Sequence, residues 1–229
     1  MPGEFTEQDL VALGGDLLPQ SLLTAYRQGI FPFYSAGQPI QWWSPDPRFV
    51  LFPNEVRVSH SMRTLLRRQR FRVTVDTDFE SVILNCRNVK RTGQIGTWIT
   101  RDMLKAYIRM HQLGVGHSVE VWDGQALVGG LYGLALGQVF FGESMFCFVS
   151  NASKYGFLIL VRWLWSRGFA LVDCQQSTRH LGSLGARSIS RLEFLDLLKR
   201  HIPDDLTHGS WTLGFEEWLE QEGQGLRPY

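Results

Sequence analysis

The sequence predicts an α+β fold: a small N-terminal lobe, and a larger domain built on a mixed, mostly antiparallel sheet. Three observations carry that prediction. Residues 1–59 are rich in proline, glycine and aromatics, whereas the rest alternates between clean strand and helix patterns, so a lobe of 1–59 and a domain of 60–229 are expected. Strand-like runs over 117–122, 126–136 and 139–147 are joined by Asp123-Gly124 and Gly137-Gln138, the spacing of tight hairpins, which makes an antiparallel meander. An apolar helix over 153–167, closed by Gly168, then leads to a strand over 170–174, and a strand-helix-strand connection implies parallel pairing beside the meander.

The elements follow in order. Residues 20–28 read as a short helix ended by Gly29, and Phe31-Pro32-Phe33 cannot continue it because proline lacks the donor. Gln41-Trp42-Trp43-Ser44-Pro45-Asp46-Pro47-Arg48 sets two tryptophans beside a proline-stiffened turn, suited to packing between lobes. A helix over 61–70 places Met62, Leu65 and Leu66 on one face and Arg63, Arg67 and Arg70 on the other. A strand over 73–75, a helix over 79–87 and a basic, glycine-containing loop over 90–96 come next. Thr100 is a good N-cap for a helix reaching Leu113, with Gly114 as its stop. After the meander, Ser190-Arg191-Leu192-Glu193 has capping-box spacing and opens a last helix to about His201. Helices, then meander, then helix, then parallel strand is the outline of the N-acyltransferase (GNAT-like) fold, an analogy of order and not of chemistry.

Composition narrows the function. Lys+Arg 23 against Asp+Glu 22 leaves a formal charge of +1, so the whole molecule has no field that draws it to a polyanion. A local field exists: between Val56 and Val75 stand Arg57, Arg63, Arg67, Arg68, Arg70 and Arg72 with no acid among them, a polyanion footprint unless acids such as Asp76 or Glu80 cover it. Cys86, Cys147 and Cys174 are far apart and odd in number, which reads as reduced thiols. No signal peptide is legible in the first residues, and the apolar run at 157–165 falls short of the roughly 20 residues a bilayer span needs, so a cytoplasmic protein without membrane contact is expected.

Two sets of residues could carry chemistry. Asp173 and Gln175 stand two apart at a strand end, so both point to one face and can hydrogen-bond each other, unless the strand simply ends in solvent. Glu143 interrupts Phe140-Phe141-Gly142-Glu143-Ser144-Met145-Phe146, and an acid in such a run must be paired or face a pocket, because burying a lone carboxylate is costly. If Gly142 marks a bulge, Glu143 faces the same cleft as Asp173, and an acidic cleft suits a substrate amine. Leu131, Phe140, Met145, Phe157, Leu160, Leu164 and Val172 could line an apolar pocket beside it, or be ordinary core. Ser144 lacks a nucleophile elbow, and the histidines show no metal-ligand spacing. Residues 149–154 carry no glycine-rich cradle for a pyrophosphate, so a coenzyme A donor is not expected, and no cofactor or metal is called for.

Over most of its length the chain resembles the leucyl/phenylalanyl-tRNA protein transferase family. The resemblance rests on Leu13-Gly14-Gly15-Asp16-Leu17, Tyr26-Arg27-Gln28-Gly29-Ile30-Phe31-Pro32, Trp42-Trp43-Ser44-Pro45-Asp46-Pro47-Arg48, Gly96-Thr97-Trp98-Ile99-Thr100, Phe141-Gly142-Glu143-Ser144-Met145-Phe146 and Asp173-Cys174-Gln175. It implies a GNAT-like larger lobe and transfer of leucine or phenylalanine, less readily methionine, from aminoacyl-tRNA to proteins beginning with lysine or arginine, which marks them for degradation. It further implies that Asp173 and Gln175 are mechanistic, with Glu143 near the reacting amino groups. Leu131, Met145, Phe157, Leu160, Leu164 and Val172 would hold the donor side chain, with Phe140 and Phe33 near the terminal adenosine and Trp98 among the substrate-binding residues. Arg63, Arg67 and Arg68 would meet the acceptor stem. Phe33 stands where the family is familiar with tryptophan and Thr178 where it has asparagine. A monomer is expected. A non-enzymatic RNA-binding module using Trp42-Trp43, a peptidoglycan-type aminoacyl transfer and an acetyltransferase are the alternative readings.

Overall fold

The computed structural model describes residues 6–89, 97–206 and 208–222; the loop expected over 90–96 lies outside them. Ten strands form two sheets among the described residues. The small one, in order β1-β3-β2, takes β1 (Leu10–Leu13), β2 (Phe31–Pro32) and β3 (Gln41–Trp43). The large one has seven strands in the order β10-β4-β9-β8-β7-β6-β5. Its strands are β4 (Arg48–Leu51), β5 (Arg72–Val75), β6 (Gly116–Asp123), β7 (Ala126–Leu136), β8 (Val139–Cys147), β9 (Leu171–Gln175) and β10 (Arg187–Ile189). Every pairing is antiparallel except β8 with β9, so the sheet is the mixed, mostly antiparallel one expected.

Local chemistry accounts for the helices. Pro19 opens α1 (Pro19–Arg27), where its missing donor costs nothing, and Gly29 follows in the left-handed region at φ 71°. Ser59, Asp78, Thr100 and Ser190 cap α2 (His60–Arg67), α3 (Phe79–Asn88), α4 (Arg101–Gln112) and α7 (Arg191–His201), each side-chain oxygen accepting a backbone N–H three residues on. Between β8 and β9 runs α5 (Ala152–Ser166), apolar nearly all round because it is covered on several sides: α2 packs on it, and Arg162 pairs with Glu222 at the end of α8 (Thr212–Glu222). Thr178 caps the short α6 (Arg179–Ser183).

Side chains alternate across the sheet into two apolar layers. One holds Tyr26, Tyr107, Tyr132, Phe141 and Phe194 with α1, α3, α4 and α7. The other holds Leu131, Phe140, Val172, Phe157 and Phe215 with α2, α5 and α8.

Strand β4 lies inside the large sheet between β9 and β10, so the segment before Ser59 contributes strands to both sheets. Two departures from the sequence reading have physical reasons. The first hairpin turns on Gly124 and Gln125, one residue later than expected, with Asp123 paired to Ala126 and Gly124 taking the positive φ of 60°. The C-terminal α8 was not expected at all; the segment ahead of it is held by Asp76, which accepts from the Trp211 backbone N–H at 2.8 Å, while Trp211 stacks on His117 at 3.6 Å.

Candidate active site

Parallel pairing of β8 with β9 runs through Val139–Leu171, Phe140–Val172 and Phe141–Asp173, then stops although both strands continue. The two strands part there. On β8 the next residues form a bulge: Gly142 opposes Gly133 and Ser144 opposes Tyr132, which leaves Glu143 as the extra, unopposed residue. The bulge expected at Gly142 is therefore present, and it re-aims the one carboxylate of the strand.

Glu143 is received by three donors. Tyr26 gives its hydroxyl to Oε1 at 2.7 Å, Tyr107 to Oε2 at 2.9 Å, and Gln175 Nε2 to Oε1 at 3.1 Å. The two tyrosine oxygens are themselves 2.5 Å apart. Burial pushes the Glu143 carboxyl up to about 7 and repulsion from Asp173 adds to that, while the bonds from Tyr26, Tyr107 and Gln175 pull the other way. Burial and the neighbouring carboxylate hold both tyrosines well above their ordinary range, so they remain donors.

Asp173 is differently placed. It is fully buried and gripped by Arg48, whose Nε donates to Oδ1 at 2.8 Å and Nη2 to Oδ2 at 2.6 Å. Arg48 is also fully buried, lies between the rings of Phe31 and Phe194 at 4.8 and 4.5 Å, and donates to the Gly29 carbonyl at 3.1 Å. One buried cation thus ties β9, the end of α1 and α7 together.

Asp173 and Gln175 do meet, but not as side-chain partners on one face. Gln175 has φ 59°, which breaks the strand alternation. Its backbone N–H donates to Asp173 Oδ1 at 2.9 Å, and its carboxamide turns to Glu143 instead. The pair expected from i, i+2 spacing is a three-residue chain, from Arg48-held Asp173 through Gln175 to Glu143.

The expected pocket residues gather on the α5 side of the sheet. Leu131 opposes Met145 across β7 and β8, and Phe140 pairs with Val172. A methyl group on Gly133 would come within about 2.5 Å of the Phe140 ring, so that ring packs against the Gly133 backbone. Phe157, Leu160 and Leu164 close the same cluster from α5. Phe33 and Trp98 contact each other, ring centroids 5.3 Å apart, in the opposite layer. Phe140 and Phe33 thus stand in opposite apolar layers, with the parting of β8 and β9 beside Phe140.

Arg63, Arg67 and Arg68 are exposed on or beside α2, whose Met62 and Leu66 are buried, and no ion pair among the described residues engages them. Arg70 is covered, by Asp123 in a bidentate pair at 2.8 and 2.5 Å; Asp76 is committed elsewhere, to His117, Ser118 and Trp211. Among the described residues, no helix is long and apolar enough to cross a membrane.

Arg48, Tyr26 and Tyr107 bond the two carboxylates and were not singled out as candidates in the sequence reading. Arg48 carried the same signal as Glu143, a charge in the apolar run Arg48-Phe49-Val50-Leu51, but was absorbed into the proline turn before it. The tyrosines sit on apolar helix faces and read as core.

Comparison with known proteins bears on this geometry. The model of the family described as leucyl/phenylalanyl-tRNA protein transferase matches residues 50–199, and that of its N-terminal domain matches residues 15–46. A leucyl/phenylalanyl-tRNA--protein transferase of Pseudomonas fluorescens (strain Pf0-1) is 58% identical over 202 residues, 88% of each chain. The protein of the same name from Azotobacter vinelandii is 58% identical over 84% of this chain and 85% of its own, and that from Pseudomonas aeruginosa PAO1 is 59% identical over 84% of each. Among solved structures, that of L-PGS from Bacillus licheniformis overlaps at a TM-score of 0.39 and 8% identity, over 69% of this chain and 50% of that one. On the strength of the family models and of relatives nearly 60% identical along almost the whole length, this chain belongs to the leucyl/phenylalanyl-tRNA protein transferase family.

Proposed function

We propose that this chain moves leucine or phenylalanine, less readily methionine, from aminoacyl-tRNA to the α-amine of proteins that begin with lysine or arginine, marking them for degradation, and that it works as a cytoplasmic monomer. Aminoacyl transfer from tRNA to protein follows from family membership. The single observation that carries the finer reading is the parting of β8 and β9, with an apolar cluster on one side and two carboxylates joined by Gln175 at the opening.

An aminoacyl ester is already an activated acyl donor. The enzyme's main task is to hold the acceptor amine against the ester carbonyl, and well-oriented pairs gain up to about 7–11 kcal/mol over free encounter. Leu131, Met145, Phe157, Leu160, Leu164 and Val172 would seat the donor side chain, with Phe140, Phe33 and Trp98 toward the terminal nucleoside. A pocket that selects by apolar volume separates single-methylene differences only about 10–200-fold, which agrees with overlap between leucine and phenylalanine. Arg63, Arg67 and Arg68 would take phosphates of the acceptor stem, reading backbone and not base sequence. Glu143 in its ionised form would draw a basic N-terminal residue and its amine.

Of Asp173 and Glu143, only Glu143 meets the Gln175 carboxamide; both Asp173 oxygens are occupied by Arg48. Asp173 would orient Gln175, and Gln175 would orient the amine. The test is a pool of peptides beginning with arginine, lysine, alanine or glutamate, offered Phe-, Leu- or Met-tRNA and weighed by mass spectrometry. One added residue on the arginine and lysine peptides, largest with leucine and phenylalanine, is expected; equal addition to all four peptides would overturn the acceptor reading.

A further inference from the structure

The oxygens of Tyr26, Tyr107 and Glu143 form a closed triangle of short contacts: 2.7 Å from Tyr26 to Glu143, 2.9 Å from Tyr107 to Glu143, and 2.5 Å between the tyrosines. Each contact of that length needs a proton between its oxygens. With Glu143 ionised, the two hydroxyls supply two protons for three contacts. One side of the triangle is then short of a proton, and a single further proton on the carboxyl group completes it.

We propose that Tyr26 and Tyr107 are positioning residues of the transfer, and that they hold Glu143 as the group that takes the proton of the attacking amine into this triangle. The proposal rests on the reading above that the opening between β8 and β9 is the site of transfer.

The step balances. The neutral amine of the acceptor forms the C–N bond to the aminoacyl carbonyl, and one N–H proton passes to Glu143. The ester C–O bond then breaks, and the proton leaves Glu143 for the departing ribose oxygen, so the tRNA ends with a free hydroxyl and Glu143 returns to its ionised form. A group with nearly equal tendency to take and give a proton at working pH suits that exchange. The Glu143 carboxyl, pushed up to about 7 by burial, has that property.

The groups that face Glu143 come from four elements. Tyr26 is on α1 and Tyr107 on α4; Asp173 and Gln175 are on β9; and Arg48 on β4 acts through Asp173. Tyr132 on β7 meets the ring of Tyr107 edge-on, centroids 5.6 Å apart, and couples electrostatically to its hydroxyl. Neither Asp173 nor Arg48 can replace the tyrosines, because their groups are bound to each other, to the Gln175 N–H and to the Gly29 carbonyl. Both tyrosines are fully buried, so no surface role competes for their hydroxyls.

The two phenylalanine variants remove one oxygen each and no carbon. In Tyr26→Phe or Tyr107→Phe the ionised carboxylate loses a donor, so the acid limb of the pH profile of kcat/KM should move to higher pH, by about one unit per hydroxyl, a tenfold change in proton affinity. Far above that limb the rate should return to within a few-fold of wild type. The assay uses the full chain, Phe-tRNA and an arginine-start peptide. A rate lowered equally at every pH, with the limb unmoved, would mean that the hydroxyls merely pack, and would overturn the proposal. Because a buried variant can fold poorly, infrared titration of the wild-type chain gives a second reading: a protonated carboxyl band that disappears near neutral pH and is missing from Glu143→Gln. Absence of that band from wild type would equally overturn the proposal. If wild type transfers nothing to the peptide, the reading of the site itself has failed, an outcome distinct from an unmoved limb.

Discussion

Replacing Arg48 with methionine tests the assignment of Asp173 as a held residue. The substitution keeps most of the apolar stem between Phe31 and Phe194 but removes two charge-assisted bonds to Asp173, at 2.8 and 2.6 Å, and one to the Gly29 carbonyl. Asp173 has no exposure, so its carboxylate cannot recover the loss from water. Breaking a buried pair by deleting one partner costs about 3–5 kcal/mol, because the other charge is left without a counter-ion. In a chain of 229 residues each kcal/mol lowers the thermal midpoint by about 2–4 °C, so Arg48→Met should lower it by about 6–20 °C. The double variant Arg48→Met with Asp173→Leu contains no stranded charge and should recover most of that stability, since an apolar replacement of a whole buried pair is often neutral or better. It should not recover transfer, because Gln175 would still lack the oxygen that receives its N–H. Urea and thermal unfolding followed by circular dichroism measure the first part, and peptide labelling the second. A single variant within about 1 kcal/mol of wild type, or a double variant no more stable than the single one, would refute the reasoning.

Three further outcomes follow from the same geometry. Asp173→Asn removes the carboxylate that repels Glu143, so transfer should fall with tRNA affinity little changed, and the acid limb should move to lower pH, opposite to the tyrosine variants; a limb that rises would contradict the arrangement. Alanine at Arg63, Arg67 and Arg68 together should weaken tRNA binding and flatten its dependence on salt by up to about three units of slope, measured by filter binding over a salt series; an unchanged slope would remove the patch. Glu143 is raised from 4.5 to about 7, so its protonated form favours the folded state: that stabilisation is full below about pH 4.5 and is lost as pH rises through 7. The 2.5 units correspond to about 3 kcal/mol, and Glu143→Gln should remove this part of the pH dependence in urea titrations; a slope that persists in the variant would place the titration elsewhere.

Local patterns made much of this fold legible. The meander, the capped helices and the near-continuous apolar α5 each follow from periodicity and end signals within a dozen or so residues. Strands β4 and β10 were not legible, because each is four residues or fewer and is defined by distant partners: Val50 by Asp173, and Arg48 by Ile189. The site divides the same way. Glu143 announces itself as an acid in an apolar run, and Gly142 as a bulge. Gln175 was read as facing with Asp173, but its positive φ turns it toward Glu143, and no spacing rule foresees a left-handed residue at a strand end. Tyr26 and Tyr107 are 81 residues apart, and only the folded chain brings their hydroxyls to one carboxylate.

The most direct measurement mixes the purified chain with Phe-tRNA labelled in the amino acid and a peptide beginning with arginine, then digests the RNA. The account predicts label that survives ribonuclease on the arginine-start peptide, not on an alanine-start one, and that is lost with Glu143→Gln at every pH. Label that stays with the tRNA while the chain binds it would contradict transfer and leave an RNA-binding module in its place.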